Sequence, residues 1–235
     1  MSDGETTPLA RFSKRALSAL LVLILVISTI SAYRSLSKQQ QDYPVPIIQG
    51  KILRTPLILS NFELVDQNNL AFSNQQLLNN WHLVSYGYLN CPDICPTTLM
   101  VLKQLKEQIR GSAIDANVVF YSVDAKRDRP DKLKNYLAYF DAEFIGLTTT
   151  NDDNNHSNLA TSLGIKSTIN TIINGTGQVE RQVSHGVSLF LMNPKGQLQA
   201  VLKPSQQLGS NIHSFELAQL KRDIELSINY YQSVN

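Results

Sequence analysis

One stretch of this chain limits its fold more than any other. Leu83 to Leu89 (Leu-Val-Ser-Tyr-Gly-Tyr-Leu) is rich in aromatic and β-branched residues, and Val118 to Val123 (Val-Val-Phe-Tyr-Ser-Val) is a continuous apolar run. A run without alternation suits a parallel strand buried on both faces. Between the two, Leu99, Leu102, Leu105 and Ile109 recur amid Lys, Gln and Glu, which is helical spacing with one buried face. The spacing therefore predicts strand, helix, strand, with a short Cys-Pro-Asp-Ile-Cys-Pro run where the first strand gives way to the helix.

The flanking segments extend this pattern. Phe62 to Val65 reads as a short strand with Asp66-Gln67-Asn68-Asn69 as its turn. Pro130 to Phe140 is an amphipathic helix with Pro in its first turn. Phe144 to Leu147 reads as a short strand or turn and Asn158 to Leu163 as a short helix. Asn174-Gly175, between Thr171-Ile172-Ile173 and Val179, predicts a hairpin. Val187 to Met192 turns through Asn193-Pro194-Lys195-Gly196 into Leu198 to Leu202, and Ser214 is placed to cap a last helix carrying Leu217, Leu220, Ile224, Ile228 and Tyr231. This order predicts an α/β thioredoxin-like sandwich, a central mixed sheet flanked by helices. Functional sites of such folds favour the carboxyl ends of strands, which is where the cysteine run falls.

The N-terminus carries a membrane signal. Ala16 to Tyr33 contains no charge, Gly or Pro; Arg11, Lys14 and Arg15 precede it, and Arg34 and Lys38 follow. Eighteen helical residues span roughly 27 Å at about 1.5 Å per residue, close to a bilayer core of about 30 Å. Ile30 makes the region near Ala32 a poor cleavage site, so an uncleaved anchor is favoured over a removed signal peptide. The basic residues place the N-terminus in the cytoplasm and the main domain outside, where thiols meet oxidants. The expected organisation is 1–15 cytoplasmic, 16–33 transmembrane, 34–50 a polar, proline-bearing linker, and 51–235 the folded domain. The chain has 235 residues, 43% hydrophobic, with 21 basic and 19 acidic side chains and no basic-aromatic stripe, so nucleic acid is excluded as a partner.

The two cysteines, Cys91 and Cys95, are the only ones in the chain. A loop this short gains little from a structural disulfide. If a helix begins near Cys91, the i, i+4 pair shares one face and two thiolates converge on one ion; if the segment is a loop, the pair can close a disulfide. A helix N-terminus lowers thiol pKa, which favours both metal binding and redox attack. Soft thiolates select Cu(I) or Zn. A structural zinc site needs four ligands, and two cysteines do not supply the usual cysteine-rich set. Cu(I) accepts two sulfurs and one imidazole. Thioredoxins separate their redox cysteines by two residues, whereas three separate these.

Four histidines compete for the third position. His82 precedes a strand, His156 lies in a polar run, and His213 lies just before the last helix. His185, in Val-Ser-His-Gly-Val-Ser-Leu-Phe, stands at the head of a buried strand expected to start beside the cysteine loop, and Gly186 permits close approach. Asp124, at the carboxyl end of Val118 to Val123, is either a loop-closing residue or a carboxylate tuning the thiols. Met100 and Met192 are thioethers more typical of core filler, and Tyr86 and Tyr88 read as packing residues.

Three motifs together resemble the SCO/SenC family: Leu83 through Pro96, Tyr121-Ser-Val-Asp-Ala-Lys-Arg-Asp-Arg-Pro-Asp-Lys-Leu133 followed by Phe144-Ile-Gly-Leu-Thr148, and His185 ahead of Leu191-Met-Asn-Pro-Lys-Gly196. Phe62-Glu-Leu-Val-Asp-Gln-Asn also matches, and the resemblance covers roughly residues 50 to 230. It implies a thioredoxin-like, membrane-tethered domain in the periplasm or the mitochondrial intermembrane space. It also implies one copper ion, as Cu(I) or Cu(II), held by Cys91, Cys95 and His185. The role implied is assembly of the dinuclear copper site of cytochrome c oxidase, with that enzyme's copper-bearing subunit as partner and other copper carriers or thiol reductants as further partners. Some members instead act as thiol-disulfide reductases on that site, with Cys91 and Cys95 as the redox pair. The short N-terminus favours a bacterial inner-membrane, single-pass, periplasm-facing protein. Two positions depart from the pattern: Ser184 stands where an Asp often precedes the histidine, and Asn90 where a His often precedes the motif. A carboxylate at 184 would orient the imidazole, so its absence leaves the ring without an evident partner.

Overall fold

The computed structural model describes residues 14–37, 43–149, 158–173, 179–206 and 213–235, with side chains throughout except at 14–17, 34–37, 171–182, 206 and 213. The chain divides into two compact units, 1–44 and 45–235. In the first, α1 (Lys14–Ser37) carries exposed apolar side chains on every side, from Leu20 to Ile30. Among the described residues no helix is long and apolar enough to cross a membrane.

The second unit begins with β1 (Gly50–Leu57), β2 (Glu63–Asp66), β3 (Ala71–Ser73), a single 3-10 turn at Asn74–Leu77, and β4 (Trp81–Gly87). There follow α2 (Ile94–Ile109), β5 (Ala116–Ser122), α3 (Pro130–Ala138), β6 (Ile145–Thr148) and α4 (Asn158–Leu163). Then come β7 (Ser167–Ile173), β8 (Val179–His185), β9 (Leu189–Met192), β10 (Leu198–Leu202), β11 (Ser205–Gln206), β12 (His213–Ser214) and α5 (Leu217–Val234). Among the described residues, eight strands form one mixed sheet in the order β1-β10-β9-β4-β5-β6-β2-β3, while β7 and β8 pair only with each other, as do β11 and β12. The pairs β4–β5 and β5–β6 are parallel. This is the expected thioredoxin-like α/β arrangement, with β4 at its centre.

Both faces of the central strands are covered, which is why Val118 to Val123 shows no alternation. Val118 and Phe120 join a core with Leu83, Leu99, Leu102, Leu105, Leu133 and Ile224, built on α2, α3 and α5. Val119 and Tyr121 join a second core with Val84, Phe190, Leu147 and Leu159, closed by α4. Each fully buried Leu in these layers contributes roughly 2–3 kcal/mol by leaving water.

Three local expectations shift. β1 was not anticipated; it pairs antiparallel with β10. Residues 45–49 belong to the folded unit: the Gln49 N–H donates to the buried Asp223 carboxylate (3.1 Å), and the Lys203 N–H donates to the Gln49 carbonyl (2.9 Å). The last helix is capped by Glu216, whose carboxylate accepts from the N–H groups of Ala218 and Gln219 (3.1 and 2.9 Å), while Ser214 lies in β12.

Candidate metal centre

β4 ends at Gly87, whose carbonyl accepts from the Val123 N–H (2.8 Å), and a turn closed by the Cys91 N–H on the Tyr88 carbonyl (3.1 Å) reverses the chain into α2. α2 starts at Ile94, so Cys91 lies before the helix and Cys95 in its first turn. The N-cap residue, Asp93, makes no side-chain capping bond. The Cys91 sulfur takes that place, accepting the Cys95 N–H at 3.4 Å. Pro96, next in line, has no N–H to satisfy.

Both cysteines are free thiols and both are buried. The Cys95 sulfur lies 3.7 Å from His185 Nε2. One donor atom from each of Cys91, Cys95 and His185 falls within 4.8 Å of the others, a grouping that can hold a metal ion. The pair is electrostatically asymmetric. A hydrogen bond from the Cys95 thiol, aided by His185 and the N–H groups of Cys95 and Asp93, lowers the Cys91 thiol to about 4 against the pull of burial. That same bond, with burial, raises Cys95. One negative charge is thus held by two sulfurs at the helix N-terminus.

His185 closes β8 rather than heading the next strand, opposite Ser167 in the hairpin. Its Nδ1 lies 2.7 Å from the Gly186 carbonyl. The carbonyl can only accept, so Nδ1 carries a proton and Nε2 is the nitrogen that faces the sulfurs. The missing carboxylate is thereby accounted for. Ser184 is exposed while Val183, two residues from His185 and on the same strand face, is buried, so a side chain at 184 points away from the site.

The other sequence candidates scatter. Asp124 is buried and ion-paired with Arg127. The carboxylate whose charge reaches Cys95 is Asp128, which accepts from the Leu89 N–H (3.0 Å) and the Ser122 hydroxyl (2.7 Å). Met192 is fully buried in the second core and Met100 is exposed on α2. His82 is buried in β4, with Nδ1 3.1 Å from the Asn80 carbonyl. His156 lies outside the described residues, and His213 falls in β12 without a described side chain. Tyr86 and Tyr88, read as packing, both meet the His185 ring edge-on. Gly87 was missed: a Cβ there would stand 2.5 Å from the Cys95 sulfur and 3.3 Å from Phe120. A glycine inside an aromatic, β-branched strand is a signal of such close approach. Asp128 carries no comparable signal.

Residues 51–216 match the sequence profile of SCO1/SenC. The chain belongs to the SCO1/SenC family. A Stutzerimonas stutzeri relative, provisionally described as copper-binding, is 34% identical over 163 residues, covering 68% of this chain and 77% of its own. Bradyrhizobium japonicum ScoI, solved with copper bound, is similar in structure with a TM-score of 0.54 at 27% identity, over 74% of this chain and 98% of that one. Yeast Sco1 with copper bound gives 0.58 at 26%, over 76% and 90%. Within this SCO1/SenC domain, the three convergent donors lie at the carboxyl end of β4 and the end of the β7–β8 hairpin.

Proposed function

We propose that this chain is a tethered copper carrier that holds one copper ion on Cys91, Cys95 and His185 and serves the copper-bearing subunit of cytochrome c oxidase while its dinuclear site is assembled. The convergence of two free thiols and a pre-oriented imidazole within 4.8 Å carries the reading. Two soft sulfurs with one nitrogen suit Cu(I) better than harder ions. Relatives at 26–27% identity solved with copper bound support the same cargo. The chain's own residues do the rest. The N–H groups at the start of α2 stabilise the Cys91 thiolate, and the Gly186 carbonyl holds Nδ1 so that Nε2 faces the sulfurs.

The tether belongs to this proposal. The uncharged run Ala16 to Tyr33, with exposed Leu, Val and Ile side chains from Leu20 to Ile30, supports this reading. We place it in a bacterial inner membrane with the SCO1/SenC domain in the periplasm. A reporter fused after residue 235 distinguishes the sides: activity of a periplasm-dependent phosphatase supports this orientation, and its absence alongside an active cytoplasmic reporter reverses it.

Titration of the reduced chain with Cu(I) against a competing chelator tests the carrier reading. One equivalent is expected, abolished by Cys91→Ser or Cys95→Ser and weakened by His185→Ala. Unchanged affinity in all three overturns it.

The asymmetry of the thiols favours a second reading, reduction of a partner's disulfide. The Cys91 thiolate would attack one sulfur of the partner and release the other as thiolate. Cys95 would then lose its proton and attack Cys91, closing Cys91–Cys95 and freeing the reduced partner. This chemistry does not need His185. Loss of oxidase activity in His185→Ala cells therefore separates the two readings in favour of copper.

A further inference from the structure

His185 reaches the cysteines from a hairpin that, among the described residues, shares no ladder with the main sheet. Backbone pairing therefore does not set the distance from Nε2 to the sulfurs. What joins the hairpin to the loop is a small cluster of Tyr88, Cys91, Cys95 and Val183, separate from both large cores. Two aromatic rings complete it. The Tyr88 ring stands at 90° to the imidazole with centroids 5.8 Å apart, and the Tyr86 ring at 60° with centroids 5.6 Å apart. Each tyrosine is itself held. Arg127 lies 5.9 Å from the Tyr88 ring centroid and is ion-paired with the buried Asp124. Tyr86 hydrogen-bonds Ser188 and packs on Phe190. Gly186 makes room for this: a Cβ there would stand 3.0 Å from the Tyr86 hydroxyl.

We infer that Tyr86 and Tyr88 are positioning residues that clamp the His185 imidazole in the plane from which Nε2 faces the two sulfurs, the service a carboxylate on the preceding residue cannot give here. The Gly186 carbonyl fixes the tautomer, but one hydrogen bond leaves the ring free to tilt about it. Two edge contacts, one from β4 and one from the turn just after it, remove that tilt. Aromatic edge contacts are worth enough to change affinity about 3- to 10-fold when the ring they hold is a ligand. The inference rests on the three-donor copper reading above.

The test is a double-mutant cycle in the full-length chain in detergent, with Cu(I) and a competing chelator as the probe. Tyr88→Leu is expected to weaken copper binding about 3- to 10-fold, and Tyr88→Phe, which keeps the edge contact, to leave it within about twofold. In the His185→Ala background Tyr88→Leu should have no further effect. An equal loss in both backgrounds makes Tyr88 a scaffold residue and overturns the inference. So does an unchanged affinity in the native background. Should Tyr88→Leu fail to fold, Tyr86→Leu in the same two backgrounds decides by the same criterion. If His185→Ala alone does not weaken binding, the three-donor reading itself has failed, and that result is distinct from either outcome for the tyrosines. The nitrogen hyperfine splitting of the Cu(II)-loaded chain supplies a second readout, expected to broaden in Tyr88→Leu and to stay sharp in Tyr88→Phe.

Discussion

The Cys95 sulfur rests directly on the backbone of Gly87, so close that a methyl group on residue 87 would stand 2.5 Å from it. The same methyl would stand 3.3 Å from Phe120, a fully buried ring, so it would be crowded on two sides. Gly87→Ala should therefore push Cys95 off its position while leaving every donor in the sequence. A destabilisation of about 1–3 kcal/mol is expected from the overpacking. Copper affinity should fall at least about tenfold, as for loss of a ligand-orienting contact. Urea unfolding and chelator competition on the same preparation check both. Native copper affinity in the variant would show that the site tolerates a displaced sulfur.

The thiols should titrate far apart. With Cys91 lowered to about 4 and Cys95 raised, iodoacetamide should modify Cys91 at a nearly constant rate from about pH 5 to 8, and Cys95 only slowly below pH 9. Because Cys91 is depressed in the folded state, its contribution to stability is complete above the unfolded thiol's 9.0 and is lost as pH falls toward 4. The reduced chain should accordingly be more stable at pH 8 than at pH 5. Cys95→Ala removes the largest cause of the depression and should move Cys91 alkylation to higher pH. Residue-resolved mass spectrometry across pH measures this.

Asp128 should be needed as an acceptor rather than as a charge. Its carboxylate takes the Leu89 N–H and the Ser122 hydroxyl, and burial raises its pKa. Asp128→Ala strands both donors and should cost about 2–3 kcal/mol. Asp128→Asn keeps an oxygen in place and should cost less. A raised carboxyl favours the folded state while protonated, so that stability is lost as pH rises through its folded pKa. Asp128→Asn should remove this decline. Thermal melts of the three proteins between pH 4 and 8 give the comparison.

His82 should make the fold acid-sensitive for a reason unrelated to metal. Burial lowers its imidazole from 6.5 to about 4, with the Asn80 carbonyl opposing. Between those values the unfolded chain binds a proton that the folded chain refuses, so stability drops as pH falls through that window. The loss approaches roughly 3 kcal/mol at its acid end. His82→Gln should flatten that portion of the stability profile while leaving copper affinity at pH 7 unchanged.

The β4-α2-β5 unit could be read from the chain because its signals are local: a flat apolar run, a 3.6-residue repeat and a proline pair. His185 could be placed near the cysteines by topology alone. The means of holding it could not, because the partner is the main-chain carbonyl of Gly186, which every residue possesses and no side-chain pattern marks. The expectation attached to Ser184 failed for a related reason. It assumed that the preceding side chain shares the imidazole's side, whereas successive residues of β8 face opposite ways. β1 was missed because its residues alternate weakly beside a proline-bearing segment, and only pairing with β10 makes them a strand. The tyrosines were legible as apolar strand residues, but not as neighbours of a histidine nearly a hundred positions away.

The Cys91 sulfur serves α2 where the Asp93 side chain does not, receiving an N–H that would otherwise face no partner. An anion at a helix start is worth roughly 0.3–1 kcal/mol, more when partly buried. Closing a disulfide removes that anion, whereas a coordinated thiolate keeps much of its charge. Oxidation is thus reported in the backbone: amide exchange at Cys95 and in the first turn of α2 should quicken on oxidation and slow again on reduction. A chain able to accept copper differs from one that is not in how firmly a helix begins, a difference that extends beyond the sulfur atoms to any surface resting on that turn.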